Sequence, residues 1–279
     1  MADASNKTTG KKAARPSQGD ETASAKFGPE PSAEATADAL RMLKLLWEPA
    51  ETNAAPSRGP KPRITLDQIV EAAVRLADEQ GQEALSMRRV AAELKASAMS
   101  LYTYVKSKDE LLELMVDKVF GERQPADPSA DWRDRARSWA VDRWSLLRRH
   151  PWVLAHSLDR YSWGPNAMDA DEELVAALSA SGLEPRQTVE SALAVHAYVN
   201  GAARSSQLEN TAEQATGTSL IEHHAARSVF YETYYDADRF PATTKIYSGG
   251  GYDEFSLDPF LFGLDRLLDG IEALLKAGS

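Results

Sequence analysis

LSMRRVAAELKASAMSLYTYVKSKDELL, residues 85–112, reads as two short helices followed by the start of a longer one. Ser86 is placed to cap a helix reaching about Leu94, Lys95 to Ser97 make a tight connection, and a further helix runs from Ala98 to about Tyr104. Two short helices joined across three residues are the signature of a helix-turn-helix. In such a motif the second helix keeps its outer face free for a DNA groove and ties its inner face to a core. Leu101 and Val105, four residues apart, supply the inner face and leave Ala98, Met99, Thr103 and their neighbours outward. Ser107 with Glu110 then forms a capping box, and Leu111, Leu114, Met115 and Val119 give the apolar side of a linking helix.

Upstream, Thr65 with Gln68 makes another capping box, Ile69, Ala73, Leu76 and Ala77 share a face, and Gly81 is a natural stop, so a helix is predicted over roughly 65–80. Residues 56–63, PSRGPKPR, are kept out of helix and sheet by proline and glycine and read as an extended basic arm. Residues 1 to about 55, rich in Ala, Ser, Thr, Pro and Glu, bury too little apolar surface to offset their ordering entropy and are expected to be mostly disordered. Asp38 to Trp47 is the exception, with Leu40, Leu43 and Trp47 on one helical face; a helix docked on the body and a transient helix without a fixed partner both fit.

Downstream of the turn-rich stretch Gly121 to Ser129, helices alternate with breaks near Pro151, Gly164-Pro165, Gly182 to Pro185, Pro241 and Gly249 to Gly251, and no alternating strand pattern stands out. The expected fold class is all-α. It comprises an extension over 1–63, a three-helix helix-turn-helix domain over 64–106 and a larger helical domain over 107–279. In the last helix Leu257, Phe260, Leu261, Leu264, Leu267, Leu268, Ile271 and Leu275 fill a broad stripe.

Of 279 residues 43% are hydrophobic, enough for a packed core. The net charge of −10 looks wrong for a DNA-binding protein until it is divided: residues 1–63 carry +2, 64–120 carry −3 and 121–279 carry −9. A small basic face can act on an acidic body, so the total neither supports nor excludes DNA. There is no run of about 18 apolar residues and no signal-peptide pattern. The absence of cysteine excludes a disulfide, a thiolate zinc site and a cysteine nucleophile, and it suits the cytoplasm, where the chain is expected to act.

Residues 85–112 resemble the DNA-binding domain of the TetR family of one-component transcriptional regulators, and the likeness extends back to Ile64. It covers about a fifth of the chain without a gap and includes LY-x-x-V-x-x-K ending at Lys108. The C-terminal two thirds match loosely, through His150-Pro151-Trp152, Trp163-Gly164-Pro165-Asn166 and the final FGLDRLLDGIEALL. The resemblance implies a helical ligand-binding and dimerisation domain there. On the family motif Ser86 and Met87 fall where a helix start meets the DNA backbone, and Arg88 where an arginine reaches a guanine. Ala98, Met99, Ser100 and Thr103 fall on the groove face, while Tyr102, Tyr104 and Lys108 fall where phosphates are touched. Arg88 and Arg89 are otherwise solvated charges, and either tyrosine could simply pack. Arg58, Lys61 and Arg63 resemble arms that enter minor grooves, and a nonspecific phosphate role fits them equally well. The sequence departs from the pattern at Lys95, which replaces the glycine usual in the turn. It departs again in its small or apolar groove residues, which favour thymine-methyl contacts over hydrogen-bond readout.

In the C-terminal part Val189, Ala192, Leu193, His196 and Val199 share a face, so His196 is either a core or interface histidine or a ligand contact. Trp144, Trp152, Trp163, Phe230, Tyr231 and Tyr234 are candidate ligand-binding aromatics, with ordinary core packing as the alternative. Phe260, Leu261, Leu264, Leu268 and Ile271 are the candidate dimer interface. His223 and His224 are adjacent and point in different directions on a helix, so neither metal nor cofactor is expected. Gly249 to Gly251 lack the lysine and strand of a phosphate loop, and no nucleophile elbow or metal-hydrolase motif occurs, so no enzyme is expected. The expected function is a ligand-responsive repressor that binds a palindromic operator as a homodimer and is released by a small hydrophobic or aromatic effector. An activator or structural DNA-binding dimer without an effector fits the same residues.

Overall fold

A computed structural model describes residues 32–48, 64–155, 163–251 and 259–277. The basic arm with Arg58, Lys61 and Arg63, and most of the N-terminal extension, lie outside the described residues. All secondary structure among the described residues is helical, and no helix there is long and apolar enough to cross a membrane.

Helix α1 (Ala33–Trp47) straddles two compact units, Met1–Arg41 and Met42–Ser279. In the first, Ser32 Oγ accepts the Ala35 N–H at 3.1 Å, so α1 starts five residues before the expected Asp38. In the second, Met42 is buried with Leu45 and Leu46 packed beside it, whereas Leu43 and Trp47 are exposed. The docked face is therefore Met42-Leu45-Leu46 rather than the expected leucine-tryptophan stripe. Trp47 still ties down, its indole N–H donating to the Trp163 carbonyl at 2.6 Å.

Local capping signals set the next helices. Thr65 and Gln68 form the expected capping box at the start of α2 (Leu66–Gln80), and Gly81 ends it with φ +79°, its N–H donating to Ala77 O. Ser86 Oγ accepts the Arg89 N–H at 3.3 Å to start α3 (Met87–Glu93), and Ser97 Oγ accepts the Ser100 N–H at 3.2 Å to start α4 (Ala98–Leu101). Ser107 Oγ starts α5 (Lys108–Phe120), accepting the Glu110 N–H at 3.1 Å, while the Glu110 carboxylate reaches past it to the Lys106 N–H at 2.6 Å. Ile69, Val90, Leu101, Val105, Leu111 and Met115 close a core among these helices. Each such side chain contributes roughly 1.5 to 3 kcal/mol by burial.

The larger part is built on α6 (Trp132–Arg149), which packs against α7 (Pro165–Ser179), α8 (Pro185–Thr216) and α12 (Pro259–Ala277). Helix α5 bridges α2 and α7. Its buried Asp117 accepts the Ala167 N–H and the Asn166 side-chain amide, both at 3.0 Å, and so caps α7. A Cβ on Gly164 would overlap that carboxylate, which explains the glycine beside Pro165. The last turns of α8 run out into solvent. Gly217, left-handed at φ +66°, ends it before α9 (Leu220–Ala226), α10 (Val229–Thr233) and α11 (Pro241–Ser248). These three form an arm clustered on Phe230, Tyr231, Tyr235, Phe240 and Tyr247.

The stripe on α12 differs from expectation in its partner. Phe260, Leu264, Leu268 and Ile271 are buried against the chain's own α6 and α8, so these candidate dimer residues belong to the protomer core, and Leu261 is partly buried beside them. Periodicity identifies a buried face without naming what buries it.

Candidate nucleic-acid interface and an interior polar cluster

The turn between α3 and α4 is closed by backbone geometry. Ala96 N–H donates to Ala91 O at 2.8 Å and Lys95 N–H to Ala92 O at 3.1 Å, the paired bonds of a Schellman motif. That motif requires a left-handed residue, and Lys95 supplies it at φ +52°, the one non-glycine residue with positive φ among the described residues. Left-handed backbone costs a side-chain-bearing residue about 1 to 2 kcal/mol, and a glycine adds roughly 0.4 to 1 kcal/mol of unfolded-state freedom. Lys95→Gly should therefore stabilise the protein by up to about 1 kcal/mol and raise its melting temperature by up to about 4 °C. A fall in melting temperature by calorimetry would show that the lysine side chain itself holds the turn.

With Leu101 and Val105 fully buried, the opposite face of α4 projects outward. Met99 is 74% exposed and Tyr102 is exposed, as is Thr103, whose hydroxyl donates to Ser100 O at 2.6 Å. Ala98 and Ser100 are half-buried. Ser86 is exposed at the start of α3, but the Met87 side chain is buried, so only its main chain can face a ligand. The two arginines separate: Arg89 is tethered to Ala84 O at 3.2 Å and to the Gln80 side chain, while Arg88 is exposed with no side-chain bond among the described residues. Tyr104 donates its hydroxyl to Ile64 O at 2.6 Å, and Lys108 Nζ donates to Gln82 O at 3.2 Å, so both also fasten the helix group together.

The candidate ligand-binding residues fall in different places. Trp144 stacks on Phe260 with ring centroids 4.5 Å apart, Trp152 is buried and donates its indole N–H to Asp78 at 2.7 Å, and Trp163 is exposed. Phe230, Tyr231 and Tyr234 line an open cleft of about 990 Å³ on the arm. The protomer does not bring the six candidates together: Trp144 and Trp152 take the core-packing alternative, and helical spacing does not say which helices meet.

His196 instead belongs to a group that the sequence reading passed over. Its ring lies edge-on to Trp139 at 4.7 Å, and its Nε2 is 3.4 Å from Asp171 Oδ1. Arg143 is buried with its guanidinium 3.7 Å from the Phe120 ring centroid. The buried Oδ1 of Asn200 accepts no hydrogen bond. Burial, and then the Arg143 charge, holds the His196 imidazole down to about 4. Burial pushes the Asp171 carboxyl up to about 6 against the pull of Arg143. At neutral pH the pair is therefore a neutral imidazole beside a carboxylate. The cavity beside Arg143, lined also by Phe120, Trp139 and Glu173, has only about 10 Å³, room for one water. A sequence signal existed: Ala136, Trp139, Ala140, Arg143, Leu146 and Leu147 form one stripe, and an arginine inside an apolar stripe is out of place.

Residues 69–115 match the model of bacterial regulatory proteins of the tetR family, and residues 124–275 match the tetracyclin repressor-like C-terminal domain. The chain belongs to the TetR family. It is 42% identical over 243 residues to the HTH-type transcriptional repressor DrrR1 of Streptomyces coeruleorubidus, covering 85% of this chain and 87% of that one. An HTH-type transcriptional regulator of Saccharopolyspora erythraea is 39% identical over 65% of this chain and 77% of its own length. Among solved structures, the Streptomyces coelicolor TetR family protein ActR in complex with actinorhodin superposes with a TM-score of 0.63 at 27% identity, covering 78% of this chain and 99% of that one.

As a TetR-family regulator the chain carries its helix-turn-helix on α3 and α4, followed by the larger helical domain.

Proposed function

We propose that the chain is a homodimeric repressor acting in the cytoplasm. It binds a palindromic operator through residues 64–106 and leaves it when a small hydrophobic or aromatic effector enters residues 107–279. The observation that carries this reading is the outward display of Arg88 and Met99 from a helix pair whose inner faces are fully buried. The name of DrrR1 supports repression, and actinorhodin bound to ActR supports a small-molecule effector.

The effector's polar end is assigned to the cluster of Arg143, Asp171, His196 and Asn200. Of these four, only Arg143 lines the adjoining cavity of about 10 Å³, which must open and extend towards the other three to admit an effector. Opening parts α6 and α7 from Phe120, which ends α5, the helix that leads back to the DNA-reading helices. Binding energy would thereby favour a second arrangement of the two heads, a population shift that requires several kcal/mol of preference for a near-complete release.

The second copy is assigned to the outer faces of α8 and α12. Val189 and Leu193 on α8, and Phe262 and Leu274 on α12, are exposed. Gly201 and Gly270 lie in the same stripes with open space where a Cβ would stand, which permits close helix approach.

Selection from random duplexes tests the reading. The expected product is a palindrome whose half-sites are centred about 34 to 36 Å apart, or a multiple of that. Aromatic compounds that raise the melting temperature of the protein should also release the selected duplex. Absence of any enriched sequence would overturn the DNA assignment; enrichment without release by any stabilising compound would favour a regulator that needs no effector.

A further inference from the structure

His150 ends α6 at the place where the larger domain meets the DNA-reading helices. Its N–H closes the helix on Leu146 O at 3.0 Å, and its ring is buried. Nδ1 lies 2.7 Å from Asp78 Oδ1 on α2, and Nε2 lies 3.1 Å from Glu122 Oε2 just beyond α5. The same Asp78 oxygen accepts the Trp152 indole N–H at 2.7 Å. Both ring nitrogens therefore face carboxylate oxygens, which can only accept. An imidazolium donates to both, whereas a neutral ring has one N–H and must turn a lone pair towards the other carboxylate.

We propose that Asp78, His150 and Glu122 form a protonation-dependent latch that fixes the orientation of the DNA-reading helices on the effector domain. Nδ1–H makes the shorter bond, so the proton that leaves is the one on Nε2, and the contact that opens first is that to Glu122. The other groups around the ring bear on the same proton. Arg149 Nη2 lies 3.6 Å from Glu122 Oε2 and competes for it, and Trp152 presents its ring at 6.1 Å. A groove of about 300 Å³ that reaches Asp78 is lined from α8 by neutral Ser206, Gln207, Asn210, Thr211 and Gln214 and from α6 by the cations Arg148 and Arg149, whose charge opposes protonation of the ring. The end of a helix also favours a cation.

Burial lowers the proton affinity of His150, but hydrogen bonds and charge from Asp78 and Glu122 outweigh it and leave the group above the usual imidazole value. The sign follows: the latch is closed below the ordinary midpoint and opens as pH rises through the raised one. Arg143 stands two turns earlier on α6, so movement of that helix at the interior cluster would pull on the same joint. The latch itself stands whether or not an effector binds there.

The chain has no cysteine, so cysteines introduced as Glu93→Cys on α3 and Ser179→Cys on α7 accept spin labels at those two positions alone. The doubly labelled full chain, mixed with a large excess of unlabelled chain, is measured by pulsed electron resonance near pH 6 and near pH 9, on either side of a histidine midpoint. The expected result is one narrow distance at the lower pH that broadens or shifts at the higher. His150→Gln should give the broad distribution at both. Glu122→Gln, at an exposed position, should move the transition to lower pH. Circular dichroism at both pH values establishes that helix content is unchanged. An unchanged wild-type distance across the range overturns the latch, as does a His150→Gln variant that keeps the pH response. If His150→Gln fails to fold, a Glu122→Gln transition at the wild-type midpoint overturns it instead.

Discussion

Leu268→Glu is expected to unfold the helical domain, not to separate folded protomers. Leu268 is 0% exposed, on the face of α12 that meets α6 and α8 within one chain. Removing a buried leucine side chain typically costs about 2 to 5 kcal/mol, and an uncompensated buried carboxylate adds several more. The sum reaches the whole stability of about 5 to 15 kcal/mol available to a protein of this kind. Leu264→Glu should behave alike, for the same reason. The contrasting variants are Leu193→Glu and Leu274→Glu, which place charge on exposed apolar positions. These should keep their helix content and lose the dimer. Circular dichroism and sedimentation velocity on all four separate the cases. A folded, monomeric Leu268→Glu protein would return α12's inner stripe to the dimer interface, and dimeric Leu193→Glu and Leu274→Glu proteins would remove the outer faces from it.

The contrast shows what the amino-acid order reveals. Features resolved within one turn of helix were legible: the Thr65–Gln68 box and the serine caps at 86 and 107 rest on groups a few residues apart, whereas the Ser97 cap went unread within the connection and Lys95 stood out only against the glycine usual in the family's turn. The inner face of α4 was equally plain, because Leu101 and Val105 lie one turn apart. Features that depend on which helices meet were not legible. The α12 stripe announced burial but not its partner. Six aromatics that fitted either a ligand pocket or ordinary core are divided among the α6–α12 contact, the joint at Asp78, an exposed position and the α9–α11 cluster. Arg143 escaped because a charge on a helix is ordinarily a solvated one, and its place becomes evident only when the apolar residues on either side are counted with it. Asp78 and Glu122 gave no sign at all: they are surface-type residues 44 positions apart that meet only across His150.

At the nucleic-acid interface, Arg88→Ala should lower affinity for the operator by roughly 1 to 3 kcal/mol, about fivefold to more than a hundredfold, and much less for a duplex with the contacted base pair replaced. The geometry singles out Arg88, since its neighbour Arg89 is already engaged by Ala84 O and Gln80. Arg89→Ala should therefore act by loosening the junction between α2 and α3, with a loss that does not depend on sequence. Lys108→Ala provides a phosphate reference, lowering the magnitude of the log K against log salt slope by about 0.9 for one contact removed. Its bond to Gln82 O means that this variant also needs a check of melting temperature. Met99, the most exposed apolar side chain of α4, offers a methyl-sized surface to thymine and should prefer a T·A pair at its position. The decisive measurement titrates each variant against the selected operator and its single-base derivatives at two salt concentrations. If Arg88 reads a base, its loss flattens the differences among those duplexes while leaving the salt slope nearly intact. Equal losses on every duplex, with a shallower slope, would make Arg88 another phosphate contact and leave Met99 and its neighbours on α4 as the source of sequence preference.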